Sequence, residues 1–336
     1  MSEWIAFDCV GKSVEKTIDL LFKSFNLKFW LKLALVVFLI NGSVGNSLNL
    51  RFYEFDSGNF DLMQYLPILI VITLLLVLIV VFFTFIGNVA VFVFLDSVLK
   101  KSVKLVDGLH ENLGRGLKLF LFMICLSLIF IVFTGILFIP LILILQLLSG
   151  GLKFALILVY GFIAFIILFT ALIFLSVVGL FTVDFVVPLM YSKGEGILDS
   201  WKSLLKVIKK NQGQFVMYVI ARILLGIATG ILSAISGFIL VFIPFFIIGI
   251  IVAVISESGN LLFSNPAILV SSGMIIFLIA MVLGYLMSII LLPIYVFYRY
   301  FSLIFIGKII PELEFFKGEK EADEPKVKKE LYVEVE

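Results

Sequence analysis

Charge is scarce in this 336-residue chain: only 14% of its residues are Asp, Glu, Lys or Arg, against about 25% in ordinary soluble domains. The 25 basic and 23 acidic residues leave a net charge of +2, too small to attract nucleic acid. Histidine and cysteine are almost missing, with His110, Cys9 and Cys125 the full set. No His/Cys metal cage or disulfide framework can be built from them, and no metal or cofactor is expected. The chain has no His-Glu-x-x-His, no Gly-x-Ser-x-Gly and no Walker A loop, so an enzyme is not expected. Apolar residues make up 62% of the chain and include 37 Phe, which places it in a membrane.

Crossing a hydrocarbon layer of about 30 Å takes ~20 apolar helical residues. Stretches free of Asp, Glu, Lys and Arg run over 33–50, 62–95, 119–152, 154–183, 223–256 and 258–298. The expected fold is an all-α polytopic bundle of six spans, near 27–44, 66–95, 118–147, 154–180, 214–242 and 268–298. Residues 214–256 could cross once or three times. A turn at Ser236-Gly237 would allow three; one crossing with a bend at Pro244 is the economical reading.

Basic residues orient the spans, because cytoplasmic loops concentrate Lys and Arg. Twenty-one of the 25 fall before the first span, in the second and fourth loops and after the last span, whereas Arg51 and Lys153 fall on the opposite side. This predicts a multi-pass protein of the cytoplasmic membrane with both termini inside. The first residues carry two acids, Glu3 and Asp8, before any lysine, so a cleaved signal peptide is not expected. Residues 1–306 form the transmembrane domain. The charged tail, 307–336, is expected to be disordered in its most polar part, from Lys317.

An internal repeat emerges when 96–188 is laid over 199–293. Asp96-Ser97 matches Asp199-Ser200, Lys118 matches Arg222, Phe138-Ile139-Pro140 matches Phe242-Ile243-Pro244, and Pro188 matches Pro293. Two or three units of two spans each follow, about 12–95, 96–195 and 199–305. Each opens on an apolar stripe at helical spacing: Val14, Ile18, Leu21, Phe22 and Phe25; then Val103, Val106, Leu109 and Leu113; then Ile197, Trp201, Leu204, Leu205 and Ile208. Such basic amphipathic helices lie in the headgroup plane. Trp4, Trp30 and Trp201 fall at this interface, and Trp201, Lys202, Lys206, Lys209 and Lys210 are the candidate lipid contacts.

Polar groups within spans are costly and default to functional candidates. Here they are Lys32, Lys118, Arg222, Asp184 and Asn88, with Gln146 a further lone amide. Lys32 and Lys118 suit snorkelling to the interface. Arg222 lies deeper and is open to either pairing or a site. Asp184 suits an ion pair fastening two spans better than a proton relay. Glu54, Asp56, Asp61 and Glu257 belong to outer loops. Gly226-x-x-x-Gly230-x-x-x-Ala234 and Ala280-x-x-x-Gly284-x-x-x-Ser288 are expected to mark close helix contacts.

The stretch Asp184-Phe-Val-Val-Pro188 through Ser200-Trp201 to Gln214-Phe-Val-Met-Tyr218 resembles uncharacterised prokaryotic six-helix membrane proteins. It is also similar to the membrane domain attached to some glycerophosphodiester phosphodiesterases, whose hydrolase is a separate domain with no room here. Abundant Ile, Phe and Lys with only four Gln suggests an archaeal source. The expected function is that of a non-enzymatic membrane protein with a lipid-interacting or scaffolding role and membrane lipids as partners. The alternative is a small-solute transporter or channel with a cavity between the repeat units.

Overall fold

A computed structural model of the chain describes residues 5–23, 25–42, 62–147, 149–242, 246, 249, 266–313 and 315. Trp4, Arg51, the four outer-loop acids, the bend at Pro244 and the tail from Lys317 lie outside the described residues. Among the described residues there is no strand, and the helices are α1 (Ile5–Ile18), α2 (Leu27–Asn41), α3 (Leu62–Lys100), α4 (Leu105–Leu147), α5 (Gly150–Phe181), α6 (Val187–Lys193), α7 (Ile197–Lys210), α8 (Gln212–Gly237) and α9 (Pro266–Ile309). Among the described residues five stretches are long and apolar enough to cross a membrane: Thr73–Lys100, Leu105–Leu147, Gly150–Lys193, Gln212–Leu240 and Leu278–Ile309.

α2, which covers most of the first expected span, has 15 residues, about 22 Å at ~1.5 Å each, and the residues directly after Gly42 lie outside the described ones. Its Leu31 carbonyl accepts from the Tyr285 hydroxyl at 3.1 Å and its Asn41 amide oxygen from Tyr295 at 2.7 Å. The two points follow the same order along both helices, so α2 and α9 run in the same sense, where the expected alternation of crossings set 27–44 and 268–298 opposite. At Ser236-Gly237 the chain stays helical and continues through a π turn, Phe238–Phe242, so no hairpin forms there.

The buried core gathers at one end of the bundle. Leu33, Phe92, Leu189, Tyr218 and Phe305 pack there in a single cluster. α1 starts at this end too: the Ile5 amide donates to the Gln214 side chain at 3.2 Å, and Asp8 pairs with Lys308 at 3.9 Å. Away from the core, α4 and α5 form an antiparallel hairpin with large exposed apolar side chains, tied by the Tyr160 hydroxyl donating to the Leu137 carbonyl at 2.5 Å. In a bilayer that apolar surface faces hydrocarbon, so the same side chains that would aggregate in water are solvated by lipid.

Of the three expected amphipathic openings, α7 buries Ile197 and Leu204 of its stripe, half-buries Trp201 and Ile208 and leaves Leu205 exposed. α1 turns the other way. Its buried side is Ala6, Cys9, Ser13 and Thr17; of the expected stripe Val14 and Ile18, and beyond the helix Phe22 and Phe25, are exposed, while Leu21 is buried. In the second unit no separate helix exists, because α4 runs unbroken from Leu105 into the span. Its buried residues there are Gly108, Asn112 and Gly116, and Val106 is exposed. A Cβ at Gly116 would lie 2.4 Å from Val89 Cγ2 and 2.7 Å from Val89 Cα, so only glycine lets α3 and α4 approach this closely.

The small-residue ladders divide. Gly284 meets the Phe38 ring of α2, its Cβ position 3.1 Å from Phe38 Cε2, and Ser288 is buried. Gly226, Gly230 and Ala234 are exposed, and a Cβ at either glycine would meet nothing within 4 Å. Within the described residues that second ladder packs against nothing, contrary to expectation.

Candidate functional site

Each of the five long helices carries a charged residue where its charge-free run meets the buried end: Asp96, Lys118, Asp184, Arg222 and Arg299. Three of these converge. Asp184 Oδ2 accepts from the Tyr218 hydroxyl at 2.8 Å and lies 3.4 Å from Arg222 Nε. Arg222 lays its guanidinium over the Tyr298 ring, 3.5 Å from the centroid, and Tyr298 and Thr229 share a hydroxyl hydrogen bond of 2.7 Å. Arg299 approaches from α9 within electrostatic reach of Asp184 and Arg222 and donates from Nη1 to the Val183 carbonyl at 3.0 Å.

The local backbone explains how Asp184 is presented. Pro188 has no N–H to give the Asp184 carbonyl four residues earlier, and the chain widens into a π turn over Thr182–Val186. There the Val187 amide bonds back to Thr182, and the Val183 carbonyl is open to Arg299. π turns of this kind re-aim side chains inside helices. Tyr218 and Arg222, four residues apart, share one face of α8 and reach the same carboxylate.

Burial is asymmetric: the Asp184 side chain is 5% exposed and that of Arg222 20%. The rings of Phe185, Phe301 and Phe305 pack about Tyr218 at centroid distances of 4.6–5.0 Å. Two guanidinium groups face one carboxylate, leaving one positive charge in excess. Arg222 Nη1 is buried without a hydrogen-bond acceptor, its charge resting on the Tyr298 ring. The arrangement fastens α8 and α9 to the π turn, and among the described residues no nucleophile with a neighbouring base accompanies it. No group of three metal-ligating side chains occurs among the described residues either.

The remaining candidates stay apart from this cluster. Lys32 and Lys118 are exposed. The Asn88 amide donates to the Thr84 carbonyl of its own helix at 2.8 Å, and Gln146 is exposed. Lys202, Lys206, Lys209 and Lys210 are exposed along α7, while Trp201 is half-buried with its ring 6.4 Å from that of Phe122. Sequence reasoning missed Arg299 and Tyr218. The first was legible, since Arg299 closes the run 258–298 just as Asp184 closes 154–183. It also missed a second polar group on the buried end: the Tyr191 hydroxyl bonds Asp96, which pairs with Lys100 at 2.7 Å, and Arg115 lies over the Tyr191 ring at 5.5 Å.

No curated protein and no solved structure matches the chain, so the likeness to the membrane domain of phosphodiesterases gains no support. Over residues 4–316 the chain matches the group described as "Family of unknown function (DUF7544)", and with nearly its whole length covered it belongs to that family.

Proposed function

We propose that this is a non-enzymatic integral protein of the cytoplasmic membrane, both termini cytoplasmic, that engages membrane lipid at its inner face. The observation that carries this reading is α7: one side is seated on the bundle through Ile197, Ser200 and Leu204, and the other presents Lys202, Lys206, Lys209 and Lys210, all exposed. Lysines held near a bilayer surface each contribute about 1 kcal/mol of attraction to anionic lipid. The pairing of Asp184 with Arg222 weighs against a transporter, which would need those groups to face a cavity. The two-unit repeat belongs to the same proposal. Asp96 and Asp199 each pair with a lysine one turn on, and Ser97 and Ser200 are both buried.

The test uses the full chain in phosphatidylcholine vesicles containing spin-labelled phosphatidylglycerol or spin-labelled phosphatidylcholine. The expected result is a larger immobilised fraction for phosphatidylglycerol, abolished when Lys202, Lys206, Lys209 and Lys210 are all changed to Gln. A preference that survives the fourfold change would overturn the reading.

A further inference from the structure

Between α1, α8 and α9 lies an open groove of about 370 Å³, lined by Val14, Ile18 and Phe22 on one side and by Leu225, Pro293 and Phe297 on the other. Its lining on α1 extends from Val10 to Phe22, ~18 Å at ~1.5 Å per residue. That is a little over half of a hydrocarbon layer of about 30 Å, the depth of one leaflet. The two hydroxyls in the lining are satisfied inside the protein: Thr17 donates to the Ser13 carbonyl at 2.7 Å and Thr229 to the Leu225 carbonyl at 2.9 Å. The groove therefore offers no polar group to a solute.

Its position relative to the charges is specific. Leu225 and Thr229 lie one and two turns beyond Arg222, and Phe297 adjoins Tyr298, on whose ring Arg222 rests. On α8 and α9 the groove thus starts at the charged level and extends into their charge-free runs, while on α1 the exposed Asp19–Lys23 pair stands at its far end. On α1 its near end holds Lys12, exposed, and both Lys12 and Lys308 act electrostatically on Cys9 beside them. At this end Lys12, Lys308 and Arg222 stand against Asp8 and Asp184, a net positive rim.

We propose that this groove holds one acyl chain of an anionic phospholipid of the inner leaflet, with its phosphate at the positive rim near Arg222 and Lys12. The proposal rests on the lipid-engaging reading above and gives it a defined seat away from α7. An apolar chain of one-leaflet length fits the apolar walls, and a phosphate matches the excess cation that Asp184 leaves uncompensated.

The experiment uses the full chain in vesicles containing phosphatidylglycerol with a diazirine in one acyl chain, and in parallel the same probe on phosphatidylcholine. After illumination, labelled peptides are mapped by mass spectrometry. The expected outcome is labelling of 10–22, 225–229 and 293–297 roughly tenfold above the equally apolar, exposed α4–α5 hairpin, an enrichment worth about 1.4 kcal/mol. Val14→Trp on the α1 wall and Ile294→Trp on the α9 wall, where Ile294 lines the groove beside Pro293, should each abolish the enrichment while leaving α4–α5 labelling unchanged. Labelling in proportion to exposure, enrichment that survives both tryptophans, equal labelling by the phosphatidylcholine probe, or a second copy of the chain cross-linked at the groove would each overturn the proposal. If groove labelling fails while the α7 lysines still select phosphatidylglycerol, this seat is wrong and the lipid-engaging reading stands.

Discussion

Asp184 has two guanidinium groups for neighbours, so the residue scale is governed by an uneven ion count in a dry place. Asp184→Asn keeps an acceptor for the Tyr218 hydroxyl but removes the carboxylate that faces Arg222 and Arg299. Breaking a buried pair from one side costs about 3–5 kcal/mol, and a large drop in Tm is expected in detergent, read by circular dichroism. Adding Arg222→Met should recover part of it, because the orphaned cation goes as well; equal losses in both variants would mean that the pair contributes nothing. Cys9 behaves differently. Burial pushes its thiol up from 9.0 to about 11, opposed by Lys308, reinforced by Asp8 and opposed by Lys12. The folded state therefore holds its proton where the unfolded state releases it. Its contribution to stability is complete below pH 9 and is lost as pH rises from about 9 to 11. Cys9→Ser should flatten the alkaline part of the stability profile across that window, and a profile identical to that of the parent would refute the assignment.

At the scale of elements, large apolar residues fill the core, yet two helix faces dock through small ones. Lipid tails are as apolar as leucine, so a leucine stripe gains little from leaving lipid for a neighbouring helix; close backbone approach and hydrogen bonds decide the contact. That is why Ile197 and Leu204 of the α7 stripe were legible, whereas α1 docks on its Ala6-Cys9-Ser13-Thr17 side and α4 on Gly108, Asn112 and Gly116. Gly116→Ala must push its methyl into Val89, overpacking that costs about 1–3 kcal/mol. Gly230→Ala, with open space around it, should leave the monomer as stable as before or up to about 1 kcal/mol more so through helix propensity. Thermal melts of the two variants side by side check this, and a Gly116→Ala protein as stable as the parent would contradict the close approach of α3 and α4.

For the whole molecule, the packed core shares one end with the charged residues that close the long apolar runs, and the opposite portions of α4 and α5, with Lys153 near their tip, present large apolar side chains outward. The proposed orientation makes this end cytoplasmic. In a background with Cys9 and Cys125 changed to Ser, Lys104→Cys and Lys206→Cys should both react with a membrane-impermeant maleimide in inside-out vesicles and not in right-side-out ones, with Asp56→Cys showing the reverse. Lys104 and Lys206 labelled from opposite sides would break the topology.

The sequence by itself determined that the chain is a membrane-embedded helical protein, where its long apolar runs lie, and at which level its few charges sit, because hydrophobic length and the cost of charge in hydrocarbon act on each helix separately. Even the candidate pair Asp184 and Arg222 was legible on that ground. Tertiary structure alone decided that Arg299 and Tyr218 complete the cluster, that α2 lies alongside α9 in the same sense, and that the Gly226–Gly230 face has no partner within the described residues. Those outcomes depend on which helices approach one another, and in a chain this uniformly apolar the hydrophobic pattern does not distinguish a neighbouring helix from lipid.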